Sequence, residues 1–287
     1  MTIAELGESL IGTYPGPYGD TEWLGAAGMR GGEPVGPEWL SDFKILTFDC
    51  YGTLIDWETG ILNELKPWAA RHGLRLDDET LLKAFAEEEA ACERETPKKL
   101  YPQILESVLE RLAERWSVKP EEEEAPEFGR SVGKWPAFPD SAEALSYLQE
   151  HYKLVILSNV DRDSFALSEL RLGVKFDRVI TAQDVGSYKP DVRNFHYMLE
   201  DLQGTLRAGP DVILHTAQSL FHDIVPARSV GLTTMWINRR KESAGWGATP
   251  PVEGEGAVPD LEVAGMAEFV ALHEALALWN DPRRPSG

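Results

Sequence analysis

Two carboxylates, an ammonium and a pair of small polar side chains stand in this chain where predicted strands give way to loops. Residues 44–57, Lys-Ile-Leu-Thr-Phe-Asp-Cys-Tyr-Gly-Thr-Leu-Ile-Asp-Trp, read as a buried strand that stops at Asp49 and turns at Gly52. A β-branched and aromatic run suits a parallel strand covered on both faces. Ligands of open α/β sheets gather at strand carboxyl ends, which puts Asp49 where chemistry is done. Thr53 can donate a hydrogen bond to that carboxylate or to a bound anion. Ser158 and Asn159 end a second apolar run, where a hydroxyl and an amide can hold an anionic oxygen. Lys189 precedes Pro190 at a helix start, and an ammonium there would neutralise Asp49 and the charge that builds during attack. Asp223 follows a fourth strand. Each has a plainer reading: Asp49 as a helix N-cap or Asx turn, Ser158-Asn159 as a helix start, Lys189 as a surface lysine. Cys50 and His215 read as buried core residues, and His222 points about 100° away from Asp223 around a helix, outside the chemistry.

These residues fall in four segments: Asp49-Cys50-Tyr51-Gly52-Thr53-Leu54, Leu157-Ser158-Asn159, Ser187-Tyr188-Lys189-Pro190-Asp191 and the stretch His215-Thr216-Ala217-Gln218-Ser219-Leu220-Phe221-His222-Asp223. In that order they resemble the motifs of the haloacid dehalogenase (HAD) superfamily. The resemblance implies that Asp49 is a nucleophile presented by the Gly52-Thr53 turn. Phosphatases of the superfamily carry a second Asp two residues after the nucleophile to protonate the leaving alcohol. Here that place holds Tyr51, whose phenol has an ordinary pKa of about 10. They also hold Mg²⁺ partly with acids of the fourth motif, where this chain has Gln218.

Tyrosine in that place is similar to the type II 2-haloacid dehalogenases. The likeness implies SN2 attack by Asp49 on a halogen-bearing carbon, an ester intermediate, and hydrolysis by a water that strikes the Asp49 carbonyl. It implies no metal and no other cofactor. Asp49, Lys189 and Asp223 are then the catalytic residues, with Lys189 holding Asp49 and Asp223 orienting or deprotonating the water. Tyr51, Thr53, Ser158, Asn159 and Gln218 are the substrate-binding candidates for a small anionic molecule. The chain also departs from that branch. Its members place an early cap arginine to receive the halide, yet none lies between Arg75 and Arg94, where Phe85-Ala86-Glu87-Glu88-Glu89 is acidic. Arg94 or Tyr101 is left to act from another turn. Gln218 and Leu220 replace a Ser and an Asn that assist the water. Phosphate-ester hydrolysis at an atypical site, and a repurposed non-hydrolytic or binding protein, are the competing readings.

The elements that must position these residues form an α/β fold: a Rossmann-like parallel sheet with an inserted all-helical cap. Residues 1–40, dense in Gly and Pro, suit an extended N-terminal arm, with Trp23, Leu24 and Trp39 as docking residues. Residues 41–57 and 139–238 make the core, 58–138 the helical cap, and 239–287 a loop and a C-terminal helix over 264–278. In the cap, Ile61, Leu62, Leu65, Trp68 and Ala69 recur at helical spacing. Asp77 or Asp78 can cap a second helix, 101–116 form a third, and Glu121 to Glu124 read as a solvated loop or helix start. Core strands are predicted at 152–159, 178–182, 211–216 and 233–238. Helices fall at 142–150, 162–171, 191–202 and 222–230, with right-handed crossovers.

With 287 residues the chain can bury one α/β core and an insertion. A formal net charge of -20 argues against nucleic acid and anionic membrane as partners. The two cysteines, Cys50 and Cys92, are too few for a disulfide framework and suit a reducing interior. No apolar run reaches the roughly 18 residues of a membrane span, so a soluble cytoplasmic protein is expected. The arm leaves room for a homodimer.

Overall fold

The structure is a computed structural model that describes residues 11–16, 19–24, 28–30, 33–35, 37–241, 248–249, 252 and 258–279. Its centre is a six-stranded parallel sheet made of β1 (Ile45–Phe48), β2 (Lys153–Ser158), β3 (Arg178–Thr181), β4 (Ile213–Ala217), β5 (Thr233–Ile237) and β6 (Leu261–Val263). The order across the sheet is β6-β5-β4-β1-β2-β3, so β1 lies between β4 and β2. The chain leaves β1 in one direction through β2 and β3, then returns to β4 on its other side. The crevice between β1 and β4 is therefore the topological switch point, where open α/β sheets bind ligands.

Every residue of β1 and β4 is buried, as strands covered on both faces must be. On one face Ile45, Val155 and Ile213 pack with Phe195, Met198 and Leu202 of α8 (Arg193–Thr205) and Ala227 of α9 (Val225–Ser229). On the other, Leu46, Phe48, Ile156 and Leu214 meet α5 (Ser141–Leu148), α6 (Arg162–Leu172) and α10 (Met266–Trp279). A short α7 (Ala182–Val185) follows β3. The strand β6 was not expected: three residues inside a Gly- and Pro-rich stretch give too short a pattern to read, and pairing with β5 makes them a strand.

The cap lies between β1 and β2. It comprises α1 (Trp57–Arg71), α2 (Asp78–Glu95), α3 (Tyr101–Arg115) and α4 (Glu124–Gly129). Asp77 caps α2, accepting from the Thr80 amide at 2.8 Å. Glu124, expected in a solvated region, is buried because three side-chain donors converge on it, Trp68 Nε1 at 3.1 Å, Arg71 at 3.0 Å and His72 Nε2 at 2.8 Å, along with the Glu121 amide at 3.1 Å. The two chain crossings between core and cap pair with each other, Asp56 N donating to Pro136 O at 2.8 Å and Phe138 N to Leu54 O at 3.0 Å.

Within the arm, two short antiparallel pairs form, Ile11–Gly16 with Gly19–Leu24 and Gly28–Arg30 with Glu33–Val35. Trp39 and Leu40 are buried in the chain's own core, Trp39 edge-on to Phe43 at 5.2 Å. The side chains of Trp23 and Leu24 lie outside the described residues. No described helix is long and apolar enough to cross a membrane.

Candidate active site

The last residue of β1 hands the chain to a turn that only glycine accommodates. Gly52 has φ +91°, and a Cβ there would meet Trp57 Nε1 at 3.0 Å and Gln218 Oε1 at 3.1 Å. The turn folds Thr53 back so that its hydroxyl donates to Asp49 Oδ2 at 2.8 Å and accepts from the Gln218 amide at 2.9 Å. One threonine thus joins the end of β1 to the loop after β4.

Lys189 arrives from the far side. Its ammonium, 2% exposed as a residue, donates to Asp49 Oδ1 at 2.9 Å, Asp223 Oδ1 at 2.7 Å and Leu157 O at 2.9 Å. Three acceptors for three N–H donors leave the lysine one orientation. Its backbone is clipped by Asn159, whose Oδ1 accepts from Lys189 N at 2.7 Å while Nδ2 donates to Lys189 O at 3.0 Å. Both amide atoms of Asn159 are therefore engaged with protein. Asp223 sits in a π-helical turn, Leu220–Ile224, started by Ser219, whose hydroxyl accepts from the His222 amide at 2.9 Å. His215, buried in β4, bonds Asp223 Oδ1 at 3.0 Å through Nε2 and Thr47 at 2.8 Å through Nδ1. It is a buried strand residue that fixes the carboxylate.

Burial penalises charge on all three groups, and the pairing decides the outcome. Burial pushes Asp49 above its ordinary value; Lys189 and Thr53 oppose the rise, and the nearby Asp223 charge adds to it. Burial also opposes ionisation of Asp223, yet Lys189 and the His215 bond overcome it and hold the carboxyl below its ordinary value. Lys189 is raised despite burial, by the two carboxylates. The thiol of Cys50 is pushed well up by burial, as befits a core residue. Burial brings His222 down to about 4, so its imidazole is neutral near pH 7.

A cavity of about 40 Å³ opens over Asp49, lined by Tyr51, Trp57, Ser158, Asn159, Lys189, Gln218, Ser219, His222, Asp223 and Thr249, and by Glu89, Glu93 and Tyr101 from the cap. All eight residues assigned from the sequence meet here: Thr53 through its bond to Asp49, and the other seven at the cavity itself. They do not meet on equal terms. Ser158 Oγ and Asp223 Oδ2 are buried without a hydrogen-bond partner, so they are the groups that a ligand and a water would satisfy. The hydroxyl of Tyr51 instead bonds Ser168 at 2.9 Å, and its ring stacks on Tyr101 at 6.4 Å, making it an aromatic wall. Gln218 Oε1 accepts from Thr249 at 3.0 Å.

The sequence shows the cap segment through Glu89 to be acidic, but it does not mark Glu89 and Glu93 as lining the site, nor Arg239 as supporting it. Glu89 and Glu93 face the cavity although buried, on the same stripe of α2 as Phe85 and Cys92; their spacing was the available signal. Arg94, by contrast, is exposed. Arg239 lies in what the sequence presents as loop, with no pattern to mark it. Its guanidinium donates to Thr53 O at 2.8 Å and to Asp140 at 2.8 and 2.9 Å, and lies 4.0 Å over the Phe138 ring.

Mg²⁺ does not fit this donor set. Among the described residues no group of three or more His, Cys, Asp or Glu is placed to hold a metal ion. An ammonium already fills the space between the two carboxylates, and the neighbouring Gln218 offers a neutral amide in place of a further carboxylate.

A family model of haloacid dehalogenase-like hydrolases matches residues 43–216. Among solved structures, the L-2-haloacid dehalogenase PA0810 aligns with a TM-score of 0.64 and 22% identity over 82% of this chain and 99% of that one. The L-2-haloacid dehalogenase from Xanthobacter autotrophicus gives 0.65 at 18% identity, over 82% and 99%. A putative HAD-hydrolase, YfnB from Bacillus subtilis, solved bound to magnesium, gives 0.64 at 17% identity over 81% and 99%. At such identities the likeness carries the fold. No curated protein matches the sequence.

Proposed function

The chain belongs to the haloacid dehalogenase-like hydrolases, and from that premise we propose that it uses Asp49 as a covalent nucleophile on a small carboxylate, in the manner of a 2-haloacid dehalogenase. The observation that carries the reading is the Asp49 carboxylate itself. It is buried, gripped by Lys189 on one oxygen and Thr53 on the other, and open to a cavity. Such a grip keeps the anion in one orientation without exposing it to water, which is what an oxygen nucleophile aimed at carbon requires.

Attack forms an ester between Asp49 and the substrate carbon while the halide leaves with the bonding pair. No proton is needed at that step. A water held by the unpartnered Asp223 Oδ2 then adds to the Asp49 carbonyl carbon, and collapse releases the hydroxy acid. The hydroxyl of Ser158, buried and unsatisfied, receives the substrate carboxylate. Lys189 offsets the charge passing between Asp49 and Asp223. The reading places the enzyme on a small anionic molecule, in a reducing cytoplasm that suits two free thiols. Halide release from chloroacetate, fluoroacetate and 2-chloropropionate tests it, with Asp49→Asn as control. Release above that control is expected; none would discard this substrate class.

A further inference from the structure

The cap wall of the cavity over Asp49 is acidic. Glu89 and Glu93 are 5% and 6% exposed, one helical turn apart on α2. Tyr101 donates its hydroxyl to Glu89 Oε1 at 2.5 Å, and Asn159 Nδ2 reaches Glu93 at 3.3 and 3.4 Å. Among the cavity-lining residues the carboxylates are Asp49, Asp223, Glu89 and Glu93 and the one cation is Lys189, which already bridges the first two. With every acid ionised the lining would carry three uncompensated negative charges, and an anionic substrate would add another. A low-dielectric cavity does not sustain that, so the cap pair retains a proton. Burial indeed pushes Glu89 up to about 7, and burial together with the Glu89 charge holds Glu93 well above the carboxylate range.

A carboxyl group that keeps its proton near neutrality, beside a carboxylate nucleophile, is the pair of groups needed to expel oxygen from carbon. The rest of the cavity is consistent with this division. Ser158 Oγ, buried and without a partner, offers a place for a substrate carboxylate, and Asp223 Oδ2 a place for water. Those two ends being assigned, the cap acids face the remaining one. Resting on the reading of Asp49 as a carbon-directed nucleophile, we propose that Glu93 is the proton donor to an oxygen leaving group, and that the site opens small carboxylates bearing a 2,3-epoxide.

The atoms balance. An Asp49 oxygen bonds to an epoxide carbon, the carbon–oxygen bond of the ring breaks, and its electron pair takes the Glu93 proton to become a hydroxyl. Water then adds to the Asp49 carbonyl carbon and gives one proton to Asp223. Collapse breaks the acyl–oxygen bond, and the departing alkoxide takes that proton. The second water proton, left on Asp49, returns to Glu93, and the product is a diol. Glu89, one turn away, acts as a positioning residue: its charge keeps the proton on Glu93. The other titratable and polar groups around Glu93 are Arg94 on its own helix, Tyr101 from α3, and Asn159, Tyr188 and Lys189 from the core.

The test compares glycidate with chloroacetate. Wild-type enzyme forms glycerate from glycidate. Glu93→Gln slows that reaction about 100-fold more than it slows chloride release, because only an oxygen leaving group needs the proton. Glu89→Gln moves the alkaline limb of glycerate formation to lower pH, since Glu93 then loses its proton more readily; a merely structural role would not move it. Glycerate formation without chloride release, lost in Glu93→Gln, also supports the inference. Chloride release without glycerate from the wild type, or equal slowing of both reactions in Glu93→Gln, overturns the inference and leaves the Asp49 reading standing. Neither product overturns both.

Discussion

Asp49, Lys189 and Asp223 work only as a set, and removing one member exposes the cost of burying the others. Lys189→Met leaves two buried carboxylates without a counterion, a change that destabilises proteins by about 3–5 kcal/mol. Urea unfolding at pH 7 measures it, and a loss within the error of the wild type would contradict the pairing. The pH profile follows from the same set. The proposed attack needs Asp49 ionised and its pKa lies above the ordinary 3.8, so kcat/KM is expected to fall as pH drops through that raised value. Asp223 adds nothing to this limb, being held lower. In Lys189→Met, any residual activity shows the limb displaced to higher pH. At this scale the sequence is legible wherever a side chain ends a strand: Asp49 and Ser158 announce themselves by position. It is less legible for what a group is bonded to, since the double clip of Asn159 on Lys189 joins residues 30 apart.

Among the elements, α2 carries the feature that most constrains the site, a stripe on which Phe85 and Cys92 alternate with Glu89 and Glu93. Glu89 costs stability in a pH-dependent way. Its folded pKa of about 7 exceeds the ordinary 4.5, so between these values the unfolded chain gives up its proton first. Stability therefore declines as pH rises through that window, by about 3 kcal/mol for a shift of this size, and the cost is complete above the folded value. Glu89→Gln removes it, so the variant gains on the wild type between pH 5 and pH 8 in urea melts; parallel melts at both pH values would contradict the burial. The end of the cap is held the opposite way. Glu124→Ala strands the Trp68, Arg71 and His72 donors and is expected to cost about 1–3 kcal/mol, read as a lowered urea midpoint. The helices were legible because their apolar residues keep a 3.6-residue period. The buried role of Glu124 was not, because a run of four glutamates looks solvated until the partners in the last turn and C-cap of α1 are seen.

Over the whole molecule, the loop that follows Asp49, the cap crossing and the end of β5 are tied through one guanidinium. Arg239 bonds Thr53 O and Asp140 and covers Phe138, beside the paired crossings at Leu54 and Phe138. Loosening it frees the turn that aims Asp49 while leaving every reacting group in place. Arg239→Ala is thus expected to lower kcat by about 10- to 100-fold through misplacement of Asp49, the proposed nucleophile. Steady-state kinetics with far-UV circular dichroism check this, and an unchanged kcat would remove the clamp from the account. EDTA is expected to leave turnover unaffected, since the ammonium of Lys189 occupies the space between the carboxylates; inhibition reversed by Mg²⁺ would favour phosphate-ester hydrolysis instead. The alternation of strands with helices made the parallel sheet legible. The strand β6 and the reach of Arg239 depend on contacts across the sheet that local pattern does not encode.

The central claim is a covalent bond from Asp49 to substrate carbon, and mass spectrometry of the Asp49 peptide tests it most directly. Asp223→Asn enzyme is incubated with chloroacetate and separately with glycidate, quenched in acid and digested. The account predicts an ester adduct of at least one of these on the peptide bearing Asp49, absent in Asp49→Asn. Turnover without any such adduct, or an adduct formed equally in Asp49→Asn, would contradict it.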